Sequence, residues 1–134
     1  DIELYCLDPL MGKYLDAGFP IHYYDNVRFV QGHSENLPFP DNYFDCVISV
    51  NAIDHVDDFE KTAQEIHRVL KTNGKIRMHV HYHQPTIPEP LEINDARMQQ
   101  AFSWSSNFKK IHQSEIKHGS RALPGESYTV WTNF

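Results

Sequence analysis

No glycine in this chain of 134 residues is followed by another glycine two positions on. The sequence therefore holds no glycine-rich loop of the kind that lets backbone approach a nucleotide cofactor closely. Basic residues are also scarce, 12 Lys and Arg against 18 Asp and Glu, and they form no long run. Nucleic-acid binding draws much of its affinity from cations that neutralise phosphates, so a net charge of −6 argues against a nucleic-acid partner. No apolar run is long enough to cross a bilayer, so no membrane partner is expected and the expected location is cytoplasmic. Only Cys6 and Cys46 carry thiols, and two cysteines make no disulfide framework. Both lie in apolar runs and are expected to be buried free thiols. The chain also lacks an initiator methionine and starts at Asp1 beside an apolar run, so upstream residues are expected.

What is present describes one globular domain with a core of its own. Hydrophobic residues make up 40% and charged residues 22%. Residues 2–7, 27–30 and 45–50 read as strands. The third is nearly continuous in apolar residues, as in a strand covered on both faces. Asp8-Pro9 closes the first, and residues 10–17 suit a short helix with Leu10, Tyr14 and Ala17 inward. Asp57 and Glu60 have the spacing of a capping box, and Phe59, Ala63, Ile66 and Leu70 share one helical face. Asn73-Gly74 is the expected left-handed stop before a strand over residues 75–83. Strand, helix and strand with tight connections make a βαβ unit. Three prolines within residues 84–90 mark a loop, and residues 91–102 suit a helix. Residues 108–117 and 127–134 are strand-like, joined through Gly119, Pro124 and Gly125, and should pair as an antiparallel hairpin.

Two blocks carry a resemblance. One runs Gly32-His33-Ser34-Glu35-Asn36-Leu37-Pro38-Phe39-Pro40-Asp41 into Phe44-Asp45-Cys46-Val47-Ile48-Ser49-Val50. The other is the helix end Glu65-Ile66-His67-Arg68-Val69-Leu70-Lys71-Thr72-Asn73-Gly74-Lys75. Together they resemble the central and carboxy-terminal part of a class I S-adenosyl-L-methionine (SAM)-dependent methyltransferase. The resemblance implies an α/β fold with a Rossmann-like methyltransferase sheet. That sheet is mostly parallel with a C-terminal antiparallel hairpin. By the resemblance, the first strand and its glycine-rich loop would lie before Asp1 and are missing here, and residues 1–134 are expected to be a single, N-terminally incomplete methyltransferase domain. In the family that strand lies mid-sheet, so a homodimer formed by strand exchange is a further expectation.

The same resemblance implies SAM as cofactor and a small-molecule acceptor as partner. Asp8, with Pro9 beside it, stands where the family places the carboxylate that accepts from the cofactor ribose hydroxyls. Asp-Pro is also an ordinary turn opener. His33, Ser34 and Glu35 match the adenine-side motif, with His33 replacing the usual carboxylate; Glu35 reads equally as a solvated loop residue. Asn51 matches a cofactor contact, and His55 stands near the acceptor as a candidate base. Packing at the helix start is the other reading of His55. The alternative for the whole chain is a non-catalytic methyltransferase-fold module that does not bind SAM.

Nine histidines are many for this length. His79, His81 and His83 alternate along one strand and share a face, with Ile76, Met78, Val80 and Tyr82 on the other. His81 and His83 suit a wall of the acceptor pocket, since open α/β sheets bind ligands beyond their strand carboxyl ends. A covered or exposed polar face is the alternative. One ion cannot easily reach all three along the row, and no cysteine or carboxylate follows at tight spacing, so no metal is assigned to it.

Overall fold

The computed structural model describes residues 2–87, 89–118 and 121–133. In chain order the elements are β1 (Leu4–Asp8), α1 (Met11–Asp16), β2 (Val27–Gln31), β3 (Phe44–Val50) and α2 (Phe59–Val69). They continue with β4 (Leu70–Tyr82), α3 (Asp95–Ala101), β5 (Lys109–His118) and β6 (Arg121–Thr132). Strands β1 and β2 pair in parallel as a sheet of their own. The other four form a second sheet in the order β3-β4-β6-β5. Within it β3 and β4 are parallel, and β6 runs antiparallel to both β4 and β5. This is a mixed α/β fold whose first strands are parallel and whose end is a hairpin.

The core lies between α2, α3 and one face of the larger sheet. Alternation in β4 sends Ile76, Met78 and Val80 inward at 0% exposure, with Tyr82 at 9%. Phe59, Ala63 and Ile66 of α2 cover them, joined by Met98, Phe102 and Trp131. The predicted stripe of α2 is thus the buried one, but its cap moves by one residue. Asp58 is the N-cap, accepting from the Lys61 N–H at 2.9 Å. Glu60 does not close a capping box because Arg97 holds both its oxygens, at 2.7 and 2.9 Å.

The helix stops at Val69, earlier than the Asn73-Gly74 signal implies, and Leu70 is already extended. Asn73 does take the left-handed conformation (φ 64°), inside an irregular stretch where β4 slips register against β3. Gly74 is required there by close approach. A methyl group on it would lie 2.5 Å from Leu70 Cγ and 2.8 Å from the Lys71 carbonyl oxygen. Gly74→Ala is therefore expected to destabilise the fold by about 1–3 kcal/mol in urea unfolding.

Other expectations change as well. Met11 is the buried residue of α1, while Leu10 and Tyr14 are exposed, because so short a helix rests on β2 through one side only. Only residues 95–101 of the 91–102 segment are helical, started by Asn94 accepting from the Arg97 N–H. Strand β6 begins before Ser127 and runs through Pro124 and Gly125 (φ 79°), and Gly119 lies outside the described residues.

The largest correction concerns β1 and β3. Neither is covered on both faces: Ile48 is 65% and Val50 63% exposed, and both cysteines are exposed. Apolar sequence marks a strand suited to a sheet interior, yet burial needs a neighbour. Among the described residues each of these strands has one paired edge only. The two sheets meet instead through rings: Tyr5 of β1 contacts Phe39, Tyr43 and Phe44 edge-on at 5.3, 5.9 and 5.5 Å.

Candidate functional site

The residues singled out in the sequence fall into two groups. The first follows the carboxyl ends of β1 and β2. Asp8 ends β1, and one oxygen of its carboxylate accepts from the Leu10 N–H at 2.7 Å. The turn-opening role is therefore real, and it occupies only one of the two oxygens. Pro9 is exposed beside it. His33 is exposed and extended, leading into a single helical turn over Ser34–Asn36. The Ser34 hydroxyl is 3.0 Å from that of Thr62 on α2.

Glu35 is neither solvated nor free. It accepts from the backbone N–H groups of Asp57 and Asp58, at 2.7 and 3.2 Å, and so clamps the start of α2. Partial burial would push its carboxyl up, but backbone donors at Glu35, Asp58 and Asp57 outweigh it and hold the group below the usual range.

The second group lies at the carboxyl ends of β3 and β4, which run side by side with Val50 opposite His79. Asn51 turns the chain with φ 49°, and its N–H donates to the His79 carbonyl at 2.8 Å. The single turn Ile53–His55 then buries Ile53 and Asp54 and leaves His55 outward. Ile53 joins the core, and Asp54 beside it is buried as well. Asp54 is 0% exposed, yet neither carboxylate oxygen has a hydrogen-bond partner. His55 Nε2 stands 3.5 Å from one of them, an ion-pair distance without hydrogen-bond geometry.

Opposite, β4 presents His81 and, just past its end, the buried His83. One ligand atom from each of Asp54, His81 and His83 falls within 4.8 Å of the others. Two carboxylates from other segments close the group. Glu89 reaches His55 Nδ1 at 3.4 Å and His83 Nε2 at 3.7 Å, and Glu126 of β6 reaches His81 Nε2 at 3.3 Å. His79 shares the face but stacks on Tyr128, with ring centres 4.8 Å apart.

The structure thus gathers His55, His81 and His83, and keeps Asp8 and residues 33–35 with the other sheet. Sequence reading passed over Asp54, Glu89 and Glu126. The signal for Asp54 was its position beside an apolar residue that must enter the core. Glu89 and Glu126 had none, since the fold alone brings them there. An open cleft of about 350 Å³ also exists, but it lies at the start of β4, lined by residues 70–75 and 104–107, at the other end of that strand from His81 and His83.

A family model described as Methyltransferase domain matches residues 6–78. The ubiquinone/menaquinone biosynthesis C-methyltransferase UbiE of Hahella chejuensis is 38% identical over 88 residues, 66% of this chain and 33% of that protein. The uncharacterized methyltransferase YcgJ of Bacillus subtilis is 45% identical over 58 residues, 43% of this chain and 23% of that protein. The chain thus spans about a third or less of the length of these curated relatives.

The crystal structure of YcgJ superposes with a TM-score of 0.75 at 19% identity, covering 97% of this chain and 81% of that one. A Burkholderia thailandensis 1,6-didemethyltoxoflavin-N1-methyltransferase with bound S-adenosylhomocysteine gives 0.66 at 17%, covering 97% and 60%. The residues matched by the family model include Asp8, the Glu35 clamp and the carboxyl end of β3, and end before His79. By sequence match over more than half its length, and by fold, the chain belongs to the class I SAM-dependent methyltransferase family.

Proposed function

We propose that this chain carries the ribose-facing and acceptor-facing residues of a SAM-dependent methyltransferase that acts on a small molecule. The observation that supports this reading most is Asp8. It ends a parallel strand with one carboxylate oxygen in the turn and the other without a hydrogen bond among the described residues. A carboxylate there suits adjacent hydroxyl donors such as those of a ribose. The turn after β2 adds the backbone of Ser34 for the adenine side, while His33 supplies an imidazole where relatives of this kind carry a carboxylate. Pro9 and Asn51 are the further cofactor contacts in this reading.

Bound SAM supplies a methyl group already activated on a sulfonium. What the chain adds is alignment of the acceptor and removal of its proton. His55 is placed for the second task. Its ring is 41% exposed, so an acceptor can reach it. Carboxylates of Asp54 and Glu89 stand 3.5 and 3.4 Å from its two nitrogens and hold the ring between them. His81 and His83 line the same strand ends as the acceptor wall.

The test is a calorimetric titration of SAM, and then of S-adenosylhomocysteine, into the chain and its Asp8→Asn variant. Asparagine keeps an oxygen for the Leu10 N–H and removes the charge. Affinity is expected to fall about 10- to 100-fold, the worth of a charged hydrogen bond. Equal affinity in both proteins would refute the ribose assignment. A folded chain that takes up neither compound would support the non-catalytic alternative.

A further inference from the structure

We propose that Asp54, His81 and His83 form a site for one divalent transition-metal cation of the zinc class. Three observations on these residues converge. Asp54 is completely buried and both of its oxygens lack a hydrogen-bond donor. An ionised carboxylate without partners is among the most costly groups to bury. His83 is buried as well, and its Nε2 likewise lacks a hydrogen bond, with a Glu89 oxygen 3.7 Å away. Its Nδ1 lies 2.8 Å from the Gln84 carbonyl oxygen. Only an N–H can meet a carbonyl, so Nδ1 carries a proton, and in the neutral imidazole Nε2 is then the nitrogen that offers a lone pair. That is the arrangement by which a backbone carbonyl fixes a ligating histidine. One ligand atom each of Asp54 and His83 lies within 4.8 Å of the other, and a cation between them satisfies both.

His81 completes the set, with all three ligand atoms inside 4.8 Å. Ligand atoms on a tetrahedral ion with bonds of about 2.1 Å lie about 3.4 Å apart. The contraction needed is at most about 1.4 Å; His81, whose side chain keeps 18% exposure, stands 3.3 Å from Glu126 and packs its ring beside those of His83 and Tyr128, with centres 4.9 and 5.1 Å apart. Two imidazoles and a carboxylate suit zinc and its first-row neighbours rather than magnesium or calcium, which prefer oxygen. Three protein ligands leave a coordination position open. Alternation along β4 alone could not show this, because the third donor comes from the turn after the adjacent strand and His79 takes no part. The site shares His81 and His83 with the acceptor wall of the methyl-transfer reading, but zinc binding is tested without SAM or an acceptor.

The experiment is a calorimetric titration of zinc chloride into metal-stripped protein, with thermal melts of the same samples. Wild type, Asp54→Asn, His83→Gln, His81→Ala and the exposed control His112→Ala are compared. Wild type and His112→Ala are expected to bind one zinc per chain at micromolar concentration or tighter. The three site variants are expected to bind at least about 10-fold more weakly. Zinc should raise the melting temperature of wild type. Asp54→Asn should abolish the zinc effect. His81 is partly exposed, so its variant keeps the test open if His83→Gln does not fold. Absence of one-site binding, or an unchanged affinity in Asp54→Asn, would overturn the proposal. The second result would assign the zinc to surface histidines.

Discussion

Trp131→Ala is expected to lower stability by about 3–5 kcal/mol, enough to unfold much of the protein at moderate urea. Trp131 is 0% exposed and stacks on Phe108, with ring centres 5.2 Å apart and planes 17° from parallel. Its indole N–H is shared between the Tyr82 hydroxyl at 3.1 Å and the Thr129 hydroxyl at 3.2 Å. Tyr82 passes the chain on by donating to Asp95 at 3.0 Å, and Lys110 donates to the other oxygen of Asp95. One side chain therefore fixes β4, β6 and α3 together. Burial, followed by the bond to Asp95, pushes the Tyr82 phenol well above its usual range, so it remains a donor throughout ordinary conditions. Trp131→Phe keeps most of the apolar area and loses the donor, and should cost about 1–3 kcal/mol. Urea midpoints of the two variants measure the difference. An alanine variant as stable as wild type would mean that the hairpin is not packed as described.

Arg68→Leu is expected to cost roughly 3 kcal/mol, the lower end for breaking a buried ion pair, since a third of this arginine is exposed. Its guanidinium forks onto both oxygens of the buried Glu65, at 2.8 and 2.7 Å. It also donates to the carbonyls of Leu37 and Phe39, at 2.9 and 2.8 Å, and to Asp41 at 2.9 Å. Glu65 in turn accepts from the Leu37 N–H at 2.8 Å. The loop before β3 is thus tied to α2 by one arginine and one glutamate.

Leucine would leave Glu65 with the Leu37 N–H alone and take one donor from each of the Leu37 and Phe39 carbonyls. The Arg68 bond holds the Glu65 carboxyl below its usual range; burial opposes this, and the Leu37 N–H supports it. The contribution of a lowered carboxylate is complete above its unfolded value of about 4.3 and fades as pH falls through the lower folded value. Wild type and variant should therefore converge in stability as pH drops below about 4. A gap that stays constant across that window would remove Glu65 from the account.

These two residues also show how far the sequence could be read. Arg68 and residues 37–41 belonged to the blocks that pointed to the family, yet the reason for their pairing appears only when a loop folds onto a helix distant in sequence. Repeating patterns were legible: the buried face of α2, the inward row of β4 and the closing hairpin all follow from side-chain period. Choices between adjacent candidates were not. Asp58 caps α2 in place of Asp57 because Glu35 and Arg97, both distant in sequence, occupy the neighbouring groups. Cys6 and Cys46 sit in apolar strands and are nevertheless exposed, since composition cannot state which strand edges find a partner. Asp54 was hidden for a related reason, since the sequence of a short turn does not state which of its residues face inward.

The division into two sheets has a consequence for how firmly each part is held. The larger sheet closes over nearly all of the core, whereas Met11 is the only core residue contributed by β1, α1 and β2 among those described. Opening free energies follow buried apolar contact. Amide protons of Leu4–Asp8 and Val27–Gln31 therefore exchange with solvent through a smaller opening than those of Leu70–Tyr82 and Arg121–Thr132. A molecule that spans both sheets would slow exchange in the first group far more than in the second, and protection would then report on occupancy from one side of the fold.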